Sequence, residues 1–304
     1  MLRFPRTLLE FQAQFPDEAS CWAYLRRARW PQGFRCPRCT GRGSHFLATR
    51  RLEQCRTCRY QGSVTAGTVF HGTRAPLRVW FLGIFFLARH KKGISALQFQ
   101  RDTGVGSYQT AWTLLHKLRS GLGAELSRRL KGAVEADETY IGGYRTGRKG
   151  RGAGKAGVAV AVERRARTAG AARLAVIPRA TTAVLTSFVQ ASIQREGATV
   201  FTDAWGSYAA LRGLGIDHRP RKSGHGHQAV DLLPWAHTVF GNLKTWLTGT
   251  FHGVSPKHLQ RYLDEFVFRF DRRWRETELF IRVLHRALDA VPCPYQHLTA
   301  ERIG

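Results

Sequence analysis

Val134-Glu135-Ala136-Asp137-Glu138-Thr139-Tyr140-Ile141 is a β-rich run that carries three carboxylates in its middle and ends at Gly142-Gly143. Burying an unpaired carboxylate is costly, so acids on a core strand hold a metal or a partner cation. Strand side chains alternate, which puts Ala133, Glu135, Asp137 and Thr139 on one face and Val134, Ala136, Glu138 and Tyr140 on the other. Only one face can carry a site. On this stretch alone, an edge strand with solvated acids and a hairpin turn at the glycines is an equally good description. The rest of the chain decides between the two.

Downstream, Gly142-Gly143-Tyr144-Arg145-Thr146-Gly147-Arg148-Lys149-Gly150-Arg151-Gly152-Ala153-Gly154-Lys155 is basic, glycine-rich and free of acids, and cannot pack a core. Phosphodiester chemistry needs such a loop beside an acidic strand, with Arg145, Arg148, Lys149 and Arg151 for the backbone and carboxylates for a metal. A solvated insertion would have the same composition. Val158-Ala159-Val160-Ala161-Val162 predicts a buried strand, and Arg173-Leu174-Ala175-Val176-Ile177 predicts another, closed by Pro178. A helix is expected over Thr182 to Glu196, with Val184, Leu185, Phe188, Val189 and Ile193 on its inner stripe. Asp203 closes the apolar strand Thr199-Val200-Phe201-Thr202. An acid there can cap a helix, or it can be a ligand presented at the carboxyl edge of a sheet. Strand, strand, strand, helix, strand, with acids on the first and fourth strands, resembles the ribonuclease H-like fold of DDE transposases and retroviral-type integrases. The expected class is therefore α/β, with a mixed-sheet catalytic domain.

Upstream, Cys36-Pro37-Arg38-Cys39 and Cys55-Arg56-Thr57-Cys58 are separated by fifteen residues, a spacing that suits a four-cysteine zinc site. Each pair makes a tight knuckle, and Ser44 to Gln54 can form a strand pair between them. A redox role is disfavoured because no βαβ context surrounds either pair. Cys21 and Cys293 stand alone as packing residues. A short extended piece is expected over Val64 to Thr73, and then Pro76 opens a helix from Leu77 to His90. Ser95 caps Ala96 to Asp102, Gly104 and Gly106 turn the chain, and Ser107 caps Tyr108 to Arg119, a helix-turn-helix-like pattern. Its second helix would present Gln109, Thr110, Thr113, His116 and Lys117 to a groove. Plain helix packing without DNA contact fits the same pattern.

Forty-eight Lys and Arg against 21 Asp and Glu give a net charge of +27, a field that binds polyanions at any physiological pH. Nucleic acid is the first expectation and a membrane surface the second. The apolar run Val79 to Ala88 is too short to span a bilayer and ends in Arg89-His90-Lys91-Lys92, so no membrane span is expected. The start Met1-Leu2-Arg3-Phe4-Pro5-Arg6 lacks a signal-peptide core, and paired cysteines suited to metal fit a reducing cytoplasm.

The run His237 to Ser255, the run Lys257 to Arg273, and Asp137-Glu138-Thr139-Tyr140-Ile141-Gly142-Gly143 resemble the bacterial insertion-sequence transposases of the ISXO-like group. The resemblance takes in the cysteine ribbon and nearly the whole chain. It implies that Asp137 and Asp203 take the first two places of a catalytic triad. No carboxylate lies between Asp231 and Asp264 to fill the third. Pro234 suits a helix start and Gly249 its end, so His237 and Lys244 share a face about two turns apart. Related transposases carry a Glu at that interval before a Lys, which puts His237 at the Glu position. Asn242 points elsewhere and is the alternative. Either is a neutral ligand that supplies one negative charge fewer than Glu. Glu265 sits on a helix whose stripe is Leu259, Tyr262, Leu263, Phe266 and Phe270, and reads as a flank residue or ion-pair partner.

By this resemblance the chain cuts its element's DNA ends and joins the freed 3′ hydroxyls to target DNA. It would use magnesium or manganese held by Asp137, Asp203 and His237, and structural zinc on Cys36, Cys39, Cys55 and Cys58. Lys244 would contact phosphate, and the partners would be terminal-repeat and target DNA, met as a homo-oligomer. The expected organisation is a helical segment over 1–30, the ribbon over 31–63, the helix-turn-helix-like region over 74–125, the catalytic domain over 131–285 and a tail over 286–304. Two competing readings are a non-catalytic DNA-binding derivative and a ribonuclease H-type nuclease. The missing third carboxylate favours the derivative, and the ribbon with its adjoining helices argues against the nuclease.

Overall fold

The computed structural model describes residues 4–123, 129–142, 155–221 and 232–300. The chain divides into two compact units, Met1–Leu122 with Arg275–Ala300, and Gly123–Trp274.

The first unit begins with α1 (Leu8–Gln14) and α2 (Glu18–Arg29), the latter opened by a capping box between Asp17 and Ser20. Next come β1 (Ser44–Leu47), β2 (Leu52–Cys55) and β3 (Gln61–Ser63), an antiparallel sheet in that order. Arg26 and Arg29 tie α2 to this sheet. The Arg26 guanidinium pairs with buried Glu53, which also accepts from Ser44 Oγ at 2.6 Å, and Arg29 donates to the Ala66 carbonyl at 2.7 Å. The stretch Val64 to Thr73, expected to be extended, is instead a series of turns through Gly72. α3 (Leu77–Arg89) follows Pro76, whose ring leaves the helix start without a capping side chain of its own. The Glu18 carboxylate supplies the cap from α2, accepting from Leu77 N at 2.8 Å and Arg78 N at 3.0 Å.

α4 (Ala96–Thr103) and α5 (Tyr108–Leu122) complete the helix-turn-helix-like pair. Ser95 Oγ caps the first and Ser107 Oγ accepts from Thr110 N, while Gly104 takes the left-handed conformation (φ 67°) that ends α4. Gly83 lets α3 approach closely, because a Cβ there would meet Leu118 Cδ1 at 3.2 Å.

In the second unit, β4 (Ala133–Ile141), β5 (Ala156–Arg164), β6 (Ala169–Ile177), β7 (Thr199–Asp203) and β8 (Asp217–Arg221) form one mixed sheet in the order β6-β5-β4-β7-β8. β4 pairs antiparallel with β5 and β5 with β6, whereas β4-β7 and β7-β8 are parallel. This is the ribonuclease H-like arrangement expected from the sequence. β5 shows why the apolar run forms a central strand. Val158, Val160 and Val162 enter the core under α7 (Pro234–Phe251) and α8 (Pro256–Phe270). Ala159 and Ala161 enter the opposite core with α6 (Thr182–Ser192) and the 3-10 segment Gly206–Leu214. The edge of β6 is covered from α8: Val176 N donates to Gln260 Oε1 at 2.9 Å and Ala172 N to Asp271 Oδ1 at 2.9 Å. β8 was not anticipated. Its sequence, Asp-His-Arg-Pro-Arg, has no apolar alternation, because it is an exposed edge strand.

The stretch 286–304 was expected as a tail and 131–285 as one domain, and here the structure differs. α9 (Leu279–Asp289) and α10 (Tyr295–Thr299) belong to the first unit. Leu279, Phe280, Val283, Leu284 and Ala287 bury one face of α9, Phe280 stacks on Phe15 at 6.0 Å, and Ala287 O accepts from Val69 N at 3.0 Å.

Candidate active site

Two sites are brought together by these elements. In the first, Cys36 and Cys58 Sγ lie 3.5 Å apart and Cys39 and Cys55 Sγ 3.6 Å apart, with all four sulfurs within 4.8 Å of one another. Four thiolates about 2.3 Å from a tetrahedral zinc stand about 3.8 Å from each other, so the cluster fits that ion. Backbone N–H groups of Cys58 and Thr57 hold the Cys55 thiol down, while the neighbouring Cys58 and Cys55 push Cys39 up, so the close sulfurs share protons that a metal would displace. Metal analysis of unchelated protein should find one zinc per chain, and zinc-free protein would contradict this assignment.

Thr40 (φ 57°) and Arg59 (φ 62°), each just after the second cysteine of its knuckle, sit in the left-handed region. Replacing either with Gly should stabilise the ribbon by up to about 1 kcal/mol, read from thermal unfolding of the zinc-loaded chain. A loss of stability would contradict that.

The second site is on the β4 face covered by α7. β4 and β7 pair in parallel up to Glu135 and Phe201, and Asp137 and Asp203 lie two residues beyond the last paired positions on their strands. Asp137 Oδ1 accepts from Glu138 N at 2.8 Å, and Asp203 Oδ1 accepts from Trp205 N at 3.3 Å. From α7, His237 Nε2 comes to 3.9 Å of Asp137 Oδ2. Burial, and then the charge of Lys244, holds the His237 ring below its ordinary value of 6.5. A lowered pKa favours the neutral imidazole, the form whose lone pair can meet a cation. His237 should still be neutral as the pH falls through 6.5 and take its proton only at lower pH. An NMR titration placing its midpoint at or above 6.5 would contradict this environment.

Lys244 follows His237 on the same side of α7, as its effect on that ring requires, with its Nζ 6.0 Å from the Phe240 ring centre. Asn242 is exposed, and five residues at about 100° each turn it some 140° from His237. Glu138 lies on the opposite face of β4, where its Oε2 accepts from the buried Tyr208 hydroxyl at 2.8 Å. Burial, and then the charge of Glu138, keeps that hydroxyl protonated. Among the described residues, the four cysteines are the one group of three or more ligating side chains gathered within 4.8 Å. Asp137, Asp203 and His237 do not converge that closely.

On α5, Gln109 is exposed and Thr113 and Lys117 are half-buried. His116 was expected to face outward, but it is buried and stacked on Trp112 with ring centres 3.9 Å apart, so it cannot read a groove. Arg145, Arg148, Lys149 and Arg151 lie outside the described residues. Glu265 is fully buried, with Arg269 Nη1 3.4 Å from its carboxylate, and so is an ion-pair partner on α8.

Glu135 had no assigned role in the sequence, yet its carboxylate is fully buried beneath the start of α7. The available signals were its place two residues before Asp137 on the same face and a proline-started helix with no capping side chain.

A mixed ribonuclease H-like sheet in a chain with a four-cysteine ribbon defines the class. Residues 129–271 match the ISXO2-like transposase domain and residues 16–61 the transposase zinc-ribbon domain, so the chain carries both of these transposase domains. A curated relative, "Uncharacterized protein in transposable element ISH50" of Halobacterium salinarum, is 29% identical over 219 residues, covering 65% of this chain and 71% of the relative. Two solved structures are distantly similar. The Mos1 strand transfer complex has a TM-score of 0.32 and 16% identity, over 69% of this chain and 75% of that one. A pre-cleavage Mos1 transpososome has a TM-score of 0.25 and 14% identity, over 69% and 79%. No helix among the described residues is long and apolar enough to cross a membrane.

Proposed function

We propose that this transposase is a DDE-class enzyme that hydrolyses the phosphodiester at its element's DNA ends and joins the freed 3′ hydroxyls to target DNA. The observation that carries the reading is the His237 ring nitrogen 3.9 Å from the Asp137 carboxylate, on the strand that pairs in parallel with the one ending at Asp203. Two divalent cations, magnesium or manganese, would supply Lewis-acid activation of the attacking and leaving oxygens there. Asp137, Asp203 and His237 are the residues that would hold them. Lys244, on the His237 side of α7, holds a phosphate oxygen as a point charge. The cations Arg145, Arg148, Lys149 and Arg151 follow β4 in sequence and add backbone contacts.

Element ends are read by the zinc ribbon and by α5, where Gln109, Thr113 and Lys117 take the groove-facing positions. The net charge of +27 supports DNA as the partner in a cytoplasmic setting, and synapsis of two ends calls for a homo-oligomer on the DNA. One observation favours a second reading, a non-catalytic DNA-binding derivative: a histidine stands where a third carboxylate would be. A joining assay with labelled element-end DNA decides between them. The enzyme converts ends to joined product in magnesium and not in chelator, whereas the derivative binds the ends and joins nothing in either.

A further inference from the structure

α7 starts at Pro234, and its N-cap, Leu233, offers no side-chain acceptor. Proline has no N–H, so the first donors left without intrahelical partners are those of Trp235 and Ala236, and His237 N makes the first helical bond, to Leu233 O at 3.1 Å. Both donors meet one atom from another element. Glu135 Oε2 on β4 accepts from Trp235 N and from Ala236 N, each at 2.9 Å. The other oxygen, Oε1, is in ion-pair contact with Arg164 Nε on β5 at 3.3 Å, and the carboxylate is fully buried. A negative group at a helix N-terminus is also favoured by the helix dipole. Glu135 therefore does from a neighbouring strand what a capping Asp or Ser does locally.

The location gives this contact its consequence. Glu135 shares a strand and a face with Asp137, two residues away, and the turn it clamps is followed immediately by His237. One side chain thus ties the strand that carries Asp137 to the turn of α7 that leads into His237, alongside the apolar packing of α7 on the sheet. We propose that Glu135 is a positioning residue for the divalent-cation site, acting through the first turn of α7 to hold His237 against Asp137. This rests on the proposed function. Partners that orient metal ligands from behind, without touching the metal, set affinity by about ten- to a hundredfold.

The test is manganese binding to the full zinc-loaded chain on element-end DNA, read by electron paramagnetic resonance, taking the component that Asp137→Asn removes. Glu135→Ala should weaken that component by about ten- to a hundredfold. Glu135→Gln, which retains an oxygen able to accept both N–H bonds, should weaken it less. In a His237→Ala background, Glu135→Ala should have no further effect, because the residue through which it acts is gone. Unchanged manganese affinity in Glu135→Ala, or an equal loss with and without His237, would overturn the assignment. If Glu135→Ala does not fold, Glu135→Gln is compared across the two backgrounds by the same criterion. Wild-type protein with no Asp137-dependent manganese binding would instead overturn the proposed function on which this inference rests.

Discussion

Asp137→Asn and, separately, Asp203→Asn are expected to lower strand joining by a factor on the order of a thousand or more, with end-DNA affinity changed by less than about twofold. Asn keeps the shape of Asp and removes the charge that, in the proposed function, holds a divalent cation. Lewis-acid stabilisation is worth several kcal/mol, and each 1.4 kcal/mol is about tenfold in rate, which sets the size of the loss. Binding should survive because phosphate contacts position DNA without help from these two carboxylates. Gel-shift and joining assays on the same preparations separate the two effects. A variant that loses binding and joining together would place the aspartates in the DNA contact surface, and one that keeps joining would remove them from the chemistry.

The second large effect concerns the third ligand. His237→Ala should cost joining about as much as the aspartate changes do, because a methyl group offers no lone pair. Asn242→Ala should leave most of the activity, since Asn242 is exposed and turned away from Asp137's neighbour on α7. His237→Glu should keep or raise activity by adding the charge that the site lacks relative to three carboxylates. The magnesium concentration at half-maximal joining gives the direction: up for His237→Ala, unchanged for Asn242→Ala, unchanged or down for His237→Glu. The opposite ranking, with Asn242 essential and His237 dispensable, would require a different face of α7 to meet the substrate.

Much of this arrangement was legible in the sequence because its signals are local. The valine and alanine run of β5, the two CxxC pairs, the serine caps at Ser95 and Ser107 and the proline starts of α7 and α8 each specify an element from a few adjacent residues. The alternation of β4 also separated Asp137 from Glu138, and the structure puts Glu138 against Tyr208 on the opposite face. Other features depend on partners far along the chain. Glu135 meets Trp235 one hundred residues later, and no window around either residue contains the other. β8 is a polar edge strand whose pairing comes from β7 rather than from its own hydrophobicity. α9 has an amphipathic stripe, but nothing local in its sequence says that it packs with helices from the first third of the chain. His116 looked like a surface residue by helical spacing, and the stacked Trp112 ring accounts for its burial.

The central claim is that Asp137, Asp203 and His237 together hold the ions of a phosphoryl-transfer site. It is tested most directly by anomalous scattering from manganese in crystals of the chain bound to its end DNA. The account predicts manganese peaks in contact with carboxylate oxygens of Asp137 and Asp203, at least one of them also within bonding distance of a His237 ring nitrogen. Peaks confined to DNA phosphates, or a site completed by Asn242 with His237 turned away, would contradict it.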